Sequence, residues 1–180
     1  MAKNFNFFEY TDMLESEFKD FSPSKLLTLG TRIAELEFEK HSQHFYTRKF
    51  DKYALLLKDA LEMLKTAAHD RSAVPGPDID QQQKNAIYAA NKLRNKLDIS
   101  DKKDAGLISI LQTINSTISY LKSEDPLYMI SVWRAPAMYN IEKNGKDISL
   151  PSQYKYYKLF KAEFKDQIDL LWKLKMQLKI

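Results

Sequence analysis

Apolar residues recur every three or four positions along much of the chain, which is the spacing of one face of an α-helix. The first stripe contains Phe7, Tyr10, Leu14, Phe18 and Phe21. Ser22 and Pro23 follow, and Ser at an N-cap with Pro at the first helical position predicts the start of a second helix. The stripe of that helix contains Leu26, Leu29, Ile33 and Leu36.

Two interpretations of the next stretch stay open, because the chain either continues as helix between Lys40 and Thr47 or restarts at a cap on Ser42 or Thr47. The following stripe contains Phe50, Tyr53, Leu57, Leu61, Leu64 and Ala68. Further apolar residues broaden it, so we expect this helix at the centre of a bundle. Residues 71–79 hold two prolines and a glycine and are predicted to form a loop.

Two more helices are predicted before residue 123. Asp80 followed by Gln83 resembles a capping box, and Ser100 is the predicted N-cap of the next helix. The stripe of the first contains Ala86, Ile87, Ala90, Leu93 and Leu97. The stripe of the second contains Leu107, Ile110, Leu111, Ile114, Ile118 and Leu121.

Residues 123–151 break the pattern and are interpreted as an irregular insert. Asp125 and Pro126 predict a short helix that runs through Trp133 and ends at Pro136. Asn144-Gly145 is typical of a β-hairpin turn, which would pair residues across 139–150. That register places like charges opposite each other, so the hairpin stays an open alternative.

The segment 152–180 is predicted to be one long helix with an apolar face and a lysine-rich face. Taken together, the patterns predict an all-α fold: a single domain over residues 1–180, built as an irregular bundle of five to seven helices. The β-hairpin at about 139–150 would precede the C-terminal helix.

Composition excludes several kinds of chemistry. The chain contains no cysteine, which excludes disulfides, thiolate zinc sites, iron–sulfur clusters and cysteine nucleophiles. Its four glycines lie too far apart to form a glycine-rich phosphate loop. No apolar run reaches the length of about 18 residues that a membrane helix needs, and polar residues interrupt the N-terminal apolar segment. We therefore expect a cytoplasmic protein without a membrane partner.

The formal net charge of +4 is unevenly distributed. Residues 1–40 carry a net negative charge, and residues 152–180 carry a net positive one. A balance this mild does not require a nucleic acid partner. The opposite signs of the two ends favour attraction within one chain or between two copies, so self-association stays open.

Glu37, His41 and His44 are weak candidates for a metal site. They lie three and four residues apart, so they share one helical face, and two imidazoles with a carboxylate suit Zn²⁺ or Fe²⁺. The spacing differs from that of di-iron carboxylate bundles. An exposed polar helix end explains the three residues better, so no metal or other cofactor and no catalytic residue is expected.

Lysines alternate with aromatic residues in the predicted C-terminal helix. Single-stranded nucleic acid is bound by such mixtures, because rings stack on bases and ammonium groups contact phosphates. The candidate contacts are Lys155, Lys158, Lys161 and Lys165. The alternative is that the rings form core and the lysines a solvated face, which the helical spacing itself predicts.

The insert is also the best candidate for a protein interface. It concentrates the residue types that are enriched at such interfaces, with Trp133 beside Arg134. The candidate contacts are Tyr128, Met129, Trp133, Arg134, Met138 and Tyr139. The alternative is that the insert completes the core of the bundle.

The leading hypothesis for the whole chain is a non-enzymatic protein-binding module of the inhibitor, immunity or assembly-adaptor type, with an unidentified protein partner. The alternative function is that of an accessory nucleic-acid-binding protein.

Overall fold

A computed structural model describes residues 7–98 and 101–142 and, in the C-terminal part, Lys173 and Met176. All regular structure in these residues is helical, which confirms the all-α class. The helices are α1 (Phe7–Phe18), α2 (Pro23–His41), α3 (Gln43–Thr47), α4 (Asp51–His69), α5 (Gly76–Leu93), α6 (Lys102–Ser123) and α7 (Pro126–Glu142), with a short 3₁₀ turn at Arg71–Ala73.

Helix α6 takes the central position that the sequence led us to expect for α4. It packs against α2, α4, α5 and α7, whereas α1 packs on α7. Four of its aliphatic residues are fully buried: Leu107, Ile110, Ile114 and Ile118. By contrast, α4 keeps Leu55 exposed on its outer face. No helix in the described part of the chain combines the length and apolarity needed to cross a membrane.

A second face of α6 is built from small and hydroxyl-bearing residues and lies against α2. Gly106, Ser109, Thr113 and Thr117 recur at helical spacing and are buried. The Thr113 and Thr117 hydroxyls donate to carbonyl oxygens one turn earlier, at 3.0 and 2.7 Å. Because their own helix satisfies them, these hydroxyls are buried without leaving unpaired donors, and α2 can approach closely.

The break between α2 and α4 settles the question that the sequence left open. Helix α2 ends at His41, α3 forms one short turn of helix, and α4 begins at Asp51. Lys49 adopts the left-handed conformation with φ 60°, a conformation that no helix interior accommodates. The chain therefore restarts after Lys49, and Phe50 occupies the N-cap of α4.

Two predicted helix starts are corrected. Helix α5 begins at Gly76, so the predicted loop at 71–79 is too long. Asp80 and Gln83 form no capping box, since both accept hydrogen bonds from Lys122 Nζ, at 2.6 and 2.7 Å. Asp101 is the N-cap of α6, and its carboxylate accepts from the backbone N–H groups of the second and third residues after it.

The insert is more regular than predicted. Helix α7 runs past Trp133 to Glu142 with Pro136 inside it, so the prediction that Pro136 ends the helix is wrong. Proline removes one intrahelical hydrogen bond, but burial of the apolar side chains that precede it, among them Val132, Trp133 and Ala135, offsets that loss. The hairpin is also wrong over its first strand, because Tyr139–Glu142 belong to α7. Its turn and second strand lie outside the described residues.

Of the predicted helix over 152–180, the structure describes Lys173 and Met176, and both are helical and exposed. The predicted attraction between the two chain ends falls outside the described part, since residues 1–6 and most of 143–180 do not belong to it.

Candidate functional site

A groove of about 260 Å³ separates the C-terminal half of α1 from the first turn of α7. Its lining is predominantly apolar and includes Phe18, Pro126, Leu127 and Ile130. Phe18 and Ile130 are buried and form the floor, whereas Leu127 is 63% exposed. The groove therefore presents apolar surface of the kind that marks interaction sites.

The turn before α7 fixes the position of Leu127. Glu124 takes the left-handed conformation at the end of α6, with φ 56°. The Asp125 carboxylate then accepts a hydrogen bond of 2.9 Å from the Leu127 backbone N–H. Asp125 thereby caps α7 as the sequence predicts. Leu127 lies in the first turn of that helix, and its side chain is exposed at the groove and not buried in the core.

The rim of the groove is charged. Glu15 and Asp125 supply carboxylates, and Lys19 supplies an ammonium group. Two further carboxylates are exposed nearby in sequence, on Asp12 of α1 and on Asp20 in the turn after it. The surface around the groove is therefore acidic, and it complements a basic partner.

The structure separates the six residues proposed for a protein interface. Met129 and Trp133 are 0% and 1% exposed and belong to the core, as the alternative interpretation of the insert expected. Tyr128 is exposed and Arg134 is half-buried. Met138 and Tyr139 lie in the last turns of α7, but their side chains lie outside the described residues. Of the six, Tyr128 is thus the exposed side chain in the described part of the chain, and its neighbour Leu127, which was not among the six, is exposed beside it.

A buried polar cluster lies where the end of α2 meets the start of α6. Ser109 Oγ donates a 2.6 Å hydrogen bond to Glu37 Oε2, and His41 Nε2 is 3.7 Å from the same oxygen. All three side chains are buried. A Cβ on Gly106 would lie 2.6 Å from His41 Nδ1, so the imidazole packs directly on the α6 backbone.

These groups are arranged unlike a nucleophilic triad. In a triad the serine hydroxyl bonds to the histidine, which removes its proton, whereas the Ser109 hydroxyl donates to the carboxylate of Glu37. Burial raises the pKa of Glu37 above its ordinary value of 4.5, against smaller lowering effects of Ser109 and Lys40. The cluster is enclosed, so a substrate cannot reach it. The hydrogen bond from Ser109 to Glu37 joins α6 to α2.

The candidate metal site is only partly assembled. The rings of His41 and His44 have centroids 6.1 Å apart, and Glu37 directs an oxygen toward Ser109. No group of three or more histidine and acidic side chains in the described residues is placed to hold a metal ion. His44 lies in α3, beyond the end of α2 at His41, so the three residues do not share one helix as the spacing predicted.

A second surface feature was not recognised from the sequence. Three aromatic side chains and three lysines meet where the start of α4 lies beside the end of α5, and we call this set the aromatic–lysine cluster. Its members are Phe50, Lys52, Tyr53, Tyr88, Lys92 and Lys96. The spacing of Tyr88 and Lys92 gives one local signal, but the contact between α4 and α5 is visible only in three dimensions. Lys155, Lys158, Lys161 and Lys165 lie outside the described residues.

Comparisons with known proteins add no functional information to this geometry. The sequence matches no protein-family model, and neither curated proteins nor solved structures show a significant match to it. The function therefore has to be inferred from the chain's own residues.

Proposed function

We propose that the protein is a non-enzymatic protein-binding module that uses the groove between α1 and α7. It would act by occlusion or scaffolding, as an inhibitor, an immunity protein or an assembly adaptor. The observation that carries the proposal is the exposure of Leu127 beside an apolar groove whose floor is already packed. A preformed surface of this kind binds without the cost of ordering a flexible segment.

The occupant that this surface fits is a basic amphipathic helix of a partner protein. An apolar side chain of that helix fills the groove beside Leu127, as in other complexes in which a helix lies in a groove. A lysine or arginine of the helix faces Glu15 and Asp125 on the rim. Charge complementarity of this type accelerates encounter and selects the partner.

The burial of the polar cluster on α2 and α6 also supports a binding role. Glu37 and His41 are titratable side chains that lie 3.7 Å apart in the interior of the described bundle, and both are enclosed. General acid–base catalysis requires such groups within hydrogen-bond reach of a substrate. The apolar groove and the aromatic–lysine cluster, by contrast, are accessible from solvent.

The test is site-specific photocrosslinking in nuclease-treated native lysate. A photoreactive phenylalanine analogue replaces Leu127 in one version of the protein and Leu55 in the control, since Leu55 is also exposed, at 56%, but lies on α4. We expect position 127 alone to crosslink to a protein, at a basic amphipathic helix that mass spectrometry maps. Crosslinks of both positions to the same protein, or crosslinks only to a second copy of this chain, would overturn the proposal.

Charge and side-chain variants then test the contact with the purified partner. Leu127→Ser and Glu15→Lys are each expected to weaken binding about tenfold or more, whereas Leu55→Ser and Glu39→Lys leave it unchanged. Leu127→Ser should change the free energy of unfolding by less than about 0.5 kcal/mol, since the side chain is exposed. Equal effects of the test and control variants on binding would contradict the assignment of this groove.

A further inference from the structure

The aromatic–lysine cluster contains a continuous row of rings. The ring centroids of Phe50 and Tyr53 are 6.3 Å apart at an interplanar angle of 68°. Tyr53 in turn lies 6.2 Å from Tyr88 across the contact between α4 and α5. Tyr53 is buried, and Tyr88 is 44% exposed. The inner ring therefore packs against the outer one, whose side chain stays partly open to solvent.

A lysine ammonium group lies over each ring of this row. The ammonium group of Lys52 lies 4.9 Å from the centroid of Tyr53, and those of Lys92 and Lys96 lie 5.7 and 5.9 Å from the centroids of Tyr88 and Phe50. All three lysines are exposed. An ammonium group at this distance from a ring gains a modest cation–π attraction, which is smallest at exposed sites.

The three cluster lysines differ from Lys65 and Lys122 in the partners they have. Lys65 pairs with Glu35 and Glu62, and Lys122 pairs with Asp80. No carboxylate of the described residues forms an ion pair with the three cluster lysines. Their charges are therefore available to an anion, at little cost beyond the weak contact with the rings.

We propose that the aromatic–lysine cluster is a binding surface for single-stranded nucleic acid. A base stacks on the exposed face of Tyr88, and the phosphates on either side contact Lys52, Lys92 and Lys96. The alternation of ring and ammonium group favours this ligand over an acidic peptide, which needs the charges but not an open aromatic face. A duplex fits less well, because its bases are already stacked on each other.

This inference is independent of the proposed protein-binding function, since the groove of that proposal lies between α1 and α7. It also differs from the nucleic acid hypothesis drawn from the sequence, which used lysines of the segment 152–180. The two nucleic acid surfaces are separable by mutation, and the experiment includes both.

The test is fluorescence anisotropy of the full chain with a labelled oligothymidylate, titrated over a series of salt concentrations. Lys92→Gln/Lys96→Gln is expected to weaken binding and to reduce the slope of log K against log salt by about 1.4, or about 0.7 for each phosphate that the variant no longer neutralises. The matched control is Lys65→Gln/Lys122→Gln, which removes the same charge at lysines already in ion pairs. It should leave the slope unchanged.

Stacking is tested separately with a tyrosine variant. Tyr88→Ala is expected to weaken binding of the single strand at least about fivefold and to leave the salt slope unchanged, since the phosphates keep their lysines. Tyr46→Ala is the control, because Tyr46 is also exposed, at 52%, but belongs to α3 and not to the cluster. Circular dichroism checks that each variant keeps its helicity.

Four outcomes overturn the inference, and the first three concern the oligonucleotide alone. They are the absence of binding by the wild-type chain at low salt, equal weakening of binding in the cluster and control variants, and a loss of binding only when Lys158 and Lys161 are neutralised. Tighter binding of an acidic peptide than of the oligonucleotide, with the same response to the variants, would also reject it in favour of a protein ligand.

Discussion

Two regions of α2 make close contacts that look alike in geometry and differ in chemistry. Near its middle, Gly30 lies against Met129 of α7, and a Cβ there would be 2.7 Å from Met129 Sδ. Near its end, His41 lies against Gly106 of α6 at a similar distance. We call these the Met129 contact and the His41 contact. In each, a glycine lets a large side chain pack directly on a neighbouring helix backbone.

The difference lies in what surrounds the large side chain. The Met129 contact joins apolar groups, and one turn later on α7 Trp133 packs against Phe18 with ring centroids 6.2 Å apart. The His41 contact carries the hydrogen bond from Ser109 to Glu37 and an imidazole. The first region therefore depends on volume alone, whereas the second depends on volume and on the protonation of a buried carboxyl group. One helix thus contributes both a pH-independent and a pH-dependent contact to the fold.

The largest effect is expected from truncation of the apolar region. Trp133→Ala should lower the free energy of unfolding by about 3–5 kcal/mol, because it leaves a cavity where a fully buried side chain packed. Urea denaturation followed by circular dichroism measures the change. A decrease below about 1 kcal/mol would mean that Trp133 is not part of the core.

The two glycines sharpen the comparison. Gly106→Ala should destabilise the fold by about 1–3 kcal/mol, because the added methyl group would overlap the rigid, buried imidazole of His41. Both variants gain up to about 1 kcal/mol in helix propensity, but Gly30→Ala meets the flexible end of Met129, so this gain offsets most of its smaller strain. The same denaturation measurement compares them, and equal destabilisation would show that the ring of His41 moves as easily as the thioether.

The smallest effect is a pH dependence confined to the His41 contact. The pKa of Glu37 is raised by burial, so the folded state holds this proton more tightly than the unfolded chain does. The stabilisation is complete below the ordinary pKa of 4.5 and decreases as the pH rises through the raised pKa.

Glu37→Gln tests this sign. The free energy of unfolding of the wild-type chain relative to that of the variant should fall as the pH rises from about 4 to 7. The slope should not exceed about 1.4 kcal/mol per pH unit, the limit for one proton. The matched variant Glu39→Gln alters an exposed glutamate two residues away and should leave the pH dependence unchanged. Curves for Glu37→Gln and wild type that stay parallel would contradict a raised pKa.

The sequence was a good guide wherever a single helix carried its own signal. Apolar stripes predicted α1, α2, α4, α5 and α6, and the Asp125-Pro126 pair predicted where α7 begins. It was a poor guide to the length of α7. The rule that proline ends a helix considers only neighbours along the chain. The apolar residues of α7 are stabilised by burial against α1, α2 and α6, which are distant in sequence or belong to other helices. The predicted interface combined buried and exposed residues for the same reason, since composition does not distinguish a buried tryptophan from an exposed one.

The sequence by itself determined the all-α class, the absence of cysteine and phosphate-loop chemistry, and the positions of most helices. These follow from spacing and composition, which are properties of neighbours along the chain. The tertiary structure alone decided that the small polar face of α6 is buried against α2, that Trp133 lies inside while Leu127 lies outside, and that rings of α4 and α5 form one row. These depend on which helices meet, and residues far apart in sequence come together only when the bundle packs.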